Sequence, residues 1–285
     1  MSDAKIRCDG RVAIVTGAGR ALGRAHAMLL AERGAKVLVN DFGGGADGAG
    51  GDTSVAQSVV SEIVARGGEA VANTGDVSNQ SDAQAMVAAA VDNYGRVDIV
   101  INNAGIMTVK DFASLLLDAL RRQLEVHVVG AFNVTQQAWP HFVNQRYGRV
   151  VMTISTGVFG TAETVHYSSA KACVIGLTRS LAVAGKAHGI MVNALSPSAY
   201  SRLFSDPGLR KFAAPPADTA KEGRGDPETV VPVAAFLAHE SCPVTGEMFS
   251  STGTNVGRIV LAATPGHTQK NMTLEALDLR RKWSL

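Results

Sequence analysis

Cysteine is scarce and so are aromatic rings: Cys8, Cys173 and Cys242 are the 3 thiols, and aromatics make up 5% of 285 residues. An odd number of thiols, far apart and without ligand spacing, supplies neither a disulfide framework nor a metal site. The expectation is reduced thiols in a cytosol and no bound metal. An excess of one charge is also missing. The 27 Lys and Arg stand against 25 Asp and Glu, spread along the chain, which excludes a nucleic-acid patch or an anchor for anionic membranes. No apolar run reaches the ~20 residues of a membrane span. No opening segment joins basic residues to an apolar stretch, and Trp283-Ser284-Leu285 differs from the peroxisomal tripeptide Ser-Lys-Leu. A soluble, cytoplasmic protein is expected.

What is abundant is small and apolar. Ala, Val and Gly dominate a 46% hydrophobic composition, which suits helices packed closely on a parallel sheet. Strand-like β-branched runs alternate with helical periodicity from end to end, without internal repeat or second-domain boundary. The pattern predicts one α/β domain over 1–285, a doubly wound (Rossmann-type), mostly parallel sheet of about seven strands with helices on both faces.

The first strand, Arg11 to Thr16, stops at Gly17, and a helix follows from near Ala21 to about Arg33. Gly17, Gly19 and Gly23 give the spacing G-x-G-x-x-x-G, a turn that lets backbone approach a pyrophosphate above a helix N-terminus. The second strand, 36–40, ends at Asp41, a carboxylate placed for ribose hydroxyls and repulsive to a 2′-phosphate. That favours NAD over NADP; Arg20, in the turn, pulls the other way. Residues 43–51 hold six glycines among nine and predict a mobile loop beside the adenine half of the site. Helices at about 53–66 and 79–93 flank a strand at 69–73. Asp76-Val77 follow that strand, where Asp76 either bonds an adenine amine or caps the next helix.

The fourth strand, 97–101, leads into Asn102-Asn103-Ala104-Gly105, polar and small residues at a strand's carboxyl end, where open α/β sheets bind ligands. Helices at about 111–121 and 123–145 precede a strand at 149–154 that ends at Ser155. In the next helix, running to about 187, Tyr167 and Lys171 are four residues apart and share a face. A cation beside a phenol lowers its pKa from roughly 10, making a proton donor and acceptor. A strand at 190–195, a lid at about 198–225, a helix at about 226–239, a strand at 246–250 and an extension over about 255–285 with a capped helix near 273–277 complete the chain.

Thr16-Gly17-Ala18-Gly19, Asn102-Asn103-Ala104-Gly105 and Tyr167 with Lys171, in that order, resemble the short-chain dehydrogenase/reductase family from about residue 9 to at least 250. Val39-Asn40-Asp41-Phe42-Gly43-Gly44, Val126-His127 and His239-Glu240-Ser241-Cys242, with the tail beyond Gly257, are most similar to its (3R)-hydroxyacyl-CoA dehydrogenase branch, also described as 17-beta-hydroxysteroid dehydrogenases. The resemblance implies an oxidoreductase that interconverts a secondary alcohol and a ketone by hydride transfer with NAD. It implies Tyr167 as acid/base, Lys171 lowering its pKa and holding the nicotinamide ribose, and Ser155 on the substrate oxygen, with Thr156 as the fallback hydroxyl. The cofactor set it implies is Gly17, Gly19, Arg20, Leu22, Gly23, Asp41, Asp76, Val77, Asn103, Ala104, Gly105, Tyr167, Lys171 and Pro197. His127 stands where most members have an Asn serving a water path to the Lys; a catalytic role and simple packing are both open. Ala21 and Ser198 replace glycines usual in the family.

The small-molecule substrate is open between a (3R)-3-hydroxyacyl-CoA and a hydroxysteroid or other bulky alcohol. Arg202, Lys211, Lys221, Arg224, Lys270, Arg280, Arg281 and Lys282 are candidates for CoA phosphates, and Leu203, Phe204, Leu209 and Phe212 give an apolar lid that suits either. A reading of another class is a non-catalytic NAD-binding sensor. The resemblance also implies a homodimer or homotetramer packed through the helices at about 111–145 and 165–187.

Overall fold

The computed structural model describes residues 6–199 and 225–264. Short β-branched runs become strands: β1 (Val12–Thr16), β2 (Lys36–Asn40), β3 (Ala70–Asn73), β4 (Ile99–Asn102), β5 (Gly148–Thr153), β6 (Ile190–Pro197), β7 (Met248–Ser251) and β8 (Val256–Ile259). Between them lie α1 (Ala21–Glu32), α2 (Ser54–Ala65), α3 (Gln80–Tyr94), α4 (Leu117–Leu124), α5 (Gly130–Gln145), α6 (Val165–Gly185) and α7 (Pro227–Leu237). The strands form one sheet in the order β3-β2-β1-β4-β5-β6-β7-β8. All neighbours are parallel except β7 and β8.

Strand alternation divides the interior. Val12 and Ile14 of β1 face the side covered by α3, α5 and α6, where Met86, Val134, Phe142 and Val174 are buried. Ala13 and Val15 face the other side, where Leu30 of α1, Ile63 of α2 and Leu237 of α7 complete a second core. At the amino end of the sheet, Asp98 is fully buried and receives Arg11, Arg96 and the Val12 amide. The order reverses between β1 and β4, so the carboxyl ends of these two strands open a crevice, the usual ligand position in such sheets.

Two expectations change. The sheet has eight strands, because Val256–Ile259, assigned above to the C-terminal extension, turns back antiparallel against β7. The helices expected at 111–121 and 123–145 are a short 3-10 turn at Phe112–Ser114 and then unbroken helix from Leu117 to Gln145, with one wider π turn at Glu125–Val129. The glycine-rich loop has its own internal hydrogen bonds, Gly45 N to Ala49 O at 2.7 Å among them. The lid residues 200–224, the capped helix near 273–277 and the basic and apolar residues named there lie outside the described residues. Among the described residues no helix is long and apolar enough to cross a membrane, and no His, Cys, Asp or Glu group has metal-site grouping.

Candidate active site

The glycine turn is stitched to its neighbours on both sides. Thr16 Oγ1 accepts the Asn103 and Ala104 amides, each at 3.0 Å, while Asn103 Nδ2 donates to Thr16 O at 2.9 Å and Gly17 O at 3.1 Å. Gly17 sits at φ +62°, and a Cβ there would stand 2.8 Å from Ala104 Cα, so only glycine lets the two strand ends meet. Ala21 holds φ +42°, a strained value for an L-residue, where the family usually has the residue that tolerates it. No side chain caps the start of α1, so its first amides are left to whatever anion approaches.

Asp41 follows β2 directly, at 8% exposure. Its Oδ2 accepts the Gly19 amide at 2.8 Å and its Oδ1 the Gly43 amide at 2.7 Å. Each carboxylate oxygen has further lone-pair capacity, so ribose hydroxyls remain within its chemistry. Asp76 is a turn-forming acid: its Oδ1 accepts the Ser78 amide at 2.9 Å and the Ser78 hydroxyl at 2.7 Å, while Asn79 caps α3.

At the other end of the crevice stands Tyr167. Its ring meets His127 edge to face, centroids 5.4 Å apart, and Lys171 Nζ lies 5.7 Å from the ring centroid. Lys171 is 4% exposed and donates to Thr153 O at 2.7 Å. Burial pushes the Tyr167 phenol above its ordinary value, and hydrogen bonding to Ser155 only opposes this. Burial also brings Lys171 down to about 7. The lowering of Tyr167 by Lys171 expected from their spacing is therefore not found in the protein alone. His127 is held neutral by burial and by the nearby Lys171; its Nε2 faces Ile106 O at 2.8 Å, and its buried Nδ1 has no partner.

One cavity of about 200 Å³ brings together Gly17, Arg20, Leu22, Gly23, Asp41, Asp76, Val77, Asn103, Ala104, Gly105, His127 and Tyr167. Four expected residues do not line it. Gly19 is turned to Asp41, Ser155 starts the 3-10 turn at Thr156–Phe159 next to Tyr167, and Pro197 closes β6 beside Ser251. Lys171 opens instead on a small cavity behind, shared with His127, Asn102 and Thr153. Arg122 and Phe42 line the main cavity and were missed. Arg122 has Glu125 one turn on, which in sequence reads as a surface ion pair. The cradle of small residues, the uncapped α1 amides and the buried carboxylate fit a nicotinamide adenine dinucleotide.

Fold and crevice define a dinucleotide-binding oxidoreductase, and the short chain dehydrogenase family model matches residues 11–202. The chain belongs to that family, whose members act on CH–OH groups with NAD(P). It is 38% identical over 281 residues to the peroxisomal multifunctional enzyme type 2 of Mus musculus, covering 98% of this chain and 37% of that one. It thus spans about two fifths of the length of the curated relatives it matches first. A short chain dehydrogenase from Mycobacterium avium superposes with TM-score 0.79 at 34% identity, covering 95% of this chain and 92% of the other. A 7α-hydroxysteroid dehydrogenase complexed with NADH and 7-oxo glycochenodeoxycholic acid gives TM-score 0.76 at 26% identity, covering 89% and 97%.

Proposed function

We propose that this chain is an NAD-dependent dehydrogenase whose substrate is a (3R)-3-hydroxyacyl-CoA, working as a homo-oligomer. The observation that carries the reading is one crevice with Asp41 at one end and the Tyr167 phenol at the other. A bound nicotinamide supplies the acceptor or donor of the hydride. Everything else falls to the chain's own side chains. Tyr167 Oη takes the proton of the substrate hydroxyl in oxidation and returns it to the carbonyl oxygen in reduction. With its pKa raised, the phenol is protonated at neutral pH, the form needed for reduction. Ser155, next to the Tyr167 phenol, is assigned the substrate oxygen on the family resemblance, and Lys171, fixed by Thr153 O, lies behind the ring.

The preference for NAD rests on Asp41, buried and locked by two amides, which would set an anion against a 2′-phosphate. Arg20, the residue able to offset it, points its Nη1 to Gly44 O at 3.4 Å. The thioester substrate is supported by the likeness in Val39–Gly44, Val126-His127 and His239–Cys242; the hydroxysteroid neighbour favours the second reading, a bulky steroid alcohol. The test is reduced-nicotinamide absorbance with (3R)- and (3S)-hydroxyacyl-CoA and hydroxysteroids, in the wild type and Tyr167→Phe. Turnover of the 3R thioester with NAD, reduced at least ~10²-fold by Tyr167→Phe while NAD binding persists, is expected. Steroid-only turnover moves the chain to the second reading, and unaltered turnover in Tyr167→Phe removes the phenol from the chemistry.

A further inference from the structure

The glycine-rich loop after β2 serves neither the sheet nor the proton-transfer group. It is a closed loop: a Cβ on Gly43 would collide with the Asp52 backbone, and Gly48 N donates to Gly45 O at 3.0 Å. Among the described residues, hydrogen bonds join it to its surroundings. Met107 N, just beyond β4, donates to Ala46 O at 3.0 Å, Arg20 reaches Gly44 O, and Asp41 accepts the Gly43 amide at the loop's base. Gly44, Gly45 and Gly48 nevertheless form cavity wall at the end that holds Asp41 and Asp76.

Arg122 meets this wall from α4. Its guanidinium is loosely held, with Ser78 Oγ at 3.3 Å, Asp76 Oδ2 at 3.6 Å and Glu125 Oε2 at 3.8 Å. Much of its five-donor capacity is therefore unspent. Gly48 has φ +82°, and a Cβ there would stand 3.0 Å from Ile106 Cγ2 and 3.3 Å from Arg122 Nη2. Bare backbone is what allows the loop to settle onto the guanidinium and Ile106 together.

We propose that residues 43–52 are a flap over the adenosine half of the dinucleotide site, and that Arg122 is the positioning residue on which the flap seats. The proposal rests on the coenzyme reading above. Closure of the flap blocks the departure of the adenosine, so its seating governs the dissociation rate. Arg122 and Gly48 face the adenosine end, whereas the nicotinamide end is bounded by Gly105, His127 and Tyr167; Ile106, which Gly48 approaches, is itself hydrogen-bonded to His127, so the mononucleotide titration is what separates the two ends.

The experiment is NADH dissociation by stopped-flow fluorescence, with ADP-ribose as chase, in the wild type, Arg122→Leu, Arg122→Lys and Gly48→Ala. Titration with reduced nicotinamide mononucleotide, which lacks adenosine, and thermal melting accompany it. Arg122→Leu and Gly48→Ala are each expected to speed NADH loss about tenfold, Arg122→Lys by less, with mononucleotide affinity unchanged. If Arg122→Leu fails to fold, Gly48→Ala decides. Dissociation rates within twofold of wild type in the folded variants overturn the flap and leave the coenzyme reading standing. Equal weakening of NADH and mononucleotide also overturns it, since the effect would then be general. A wild-type chain that binds no NADH overturns the coenzyme reading, and the flap falls with it.

Discussion

His26, on α1, is 3% exposed, and burial brings its imidazole down from 6.5 to about 4. The folded state therefore binds fewer protons than the unfolded one between these values. The stability this group allows is whole above pH 6.5 and is lost as pH falls toward 4, by about 3 kcal/mol at ~1.36 kcal/mol per unit. Urea unfolding at pH 8 and pH 5 is expected to show a larger loss in the wild type than in His26→Leu, by about 2 kcal/mol; equal losses would deny the coupling. Other single residues differ in how far the sequence disclosed them. Asp41 was legible because it follows a strand at a fixed distance from the glycine turn. Asp76 had two readings, and its Oδ1 holds the Ser78 amide and hydroxyl while the residue also lines the cavity. For Tyr167, spacing reports the proximity of Lys171 and says nothing of the desolvation that raises the phenol's pKa.

Among the elements, α5 carries the clearest packing test. Phe142 is fully buried, and a Cβ on Gly148 would come within 2.6 Å of its Cγ, so the ring lies directly on the start of β5. Phe142→Ala is expected to cost about 3–5 kcal/mol in urea unfolding, since the void cannot close against backbone; a loss under ~1 kcal/mol would show that the helix resettles. Strands β1 to β7 were legible as short apolar runs stopped by glycine or polar residues. Strand β8 was not: Val256-Gly257-Arg258-Ile259 is short and mixed, and its pairing with β7 is decided by the turn before it. Nor was the π turn, which places His127 against Ile106 and Tyr167. A single wider turn spans only a few residues, too few for apolar periodicity to locate it.

For the whole molecule, exposed apolar side chains remain on the helices expected to pair copies of the chain: Leu117, Val129 and Phe132, with Val183 on α6. Phe132→Asp is expected to lower the sedimentation mass toward a monomer while leaving the far-ultraviolet spectrum unchanged; an unaltered mass would move the interface elsewhere. The overall architecture was readable because each motif ends a strand and the strands follow in order, whereas Arg122 meets the glycine loop through space, between segments more than seventy residues apart. Asp41 also joins distant parts, holding the Gly19 amide of the first turn and the Gly43 amide of the loop. That double attachment is a constraint on descent. A lineage exchanging Asp41 for a residue hospitable to a 2′-phosphate would unfasten turn and loop in the same step, so a change of coenzyme has to be preceded by substitutions that hold both without it.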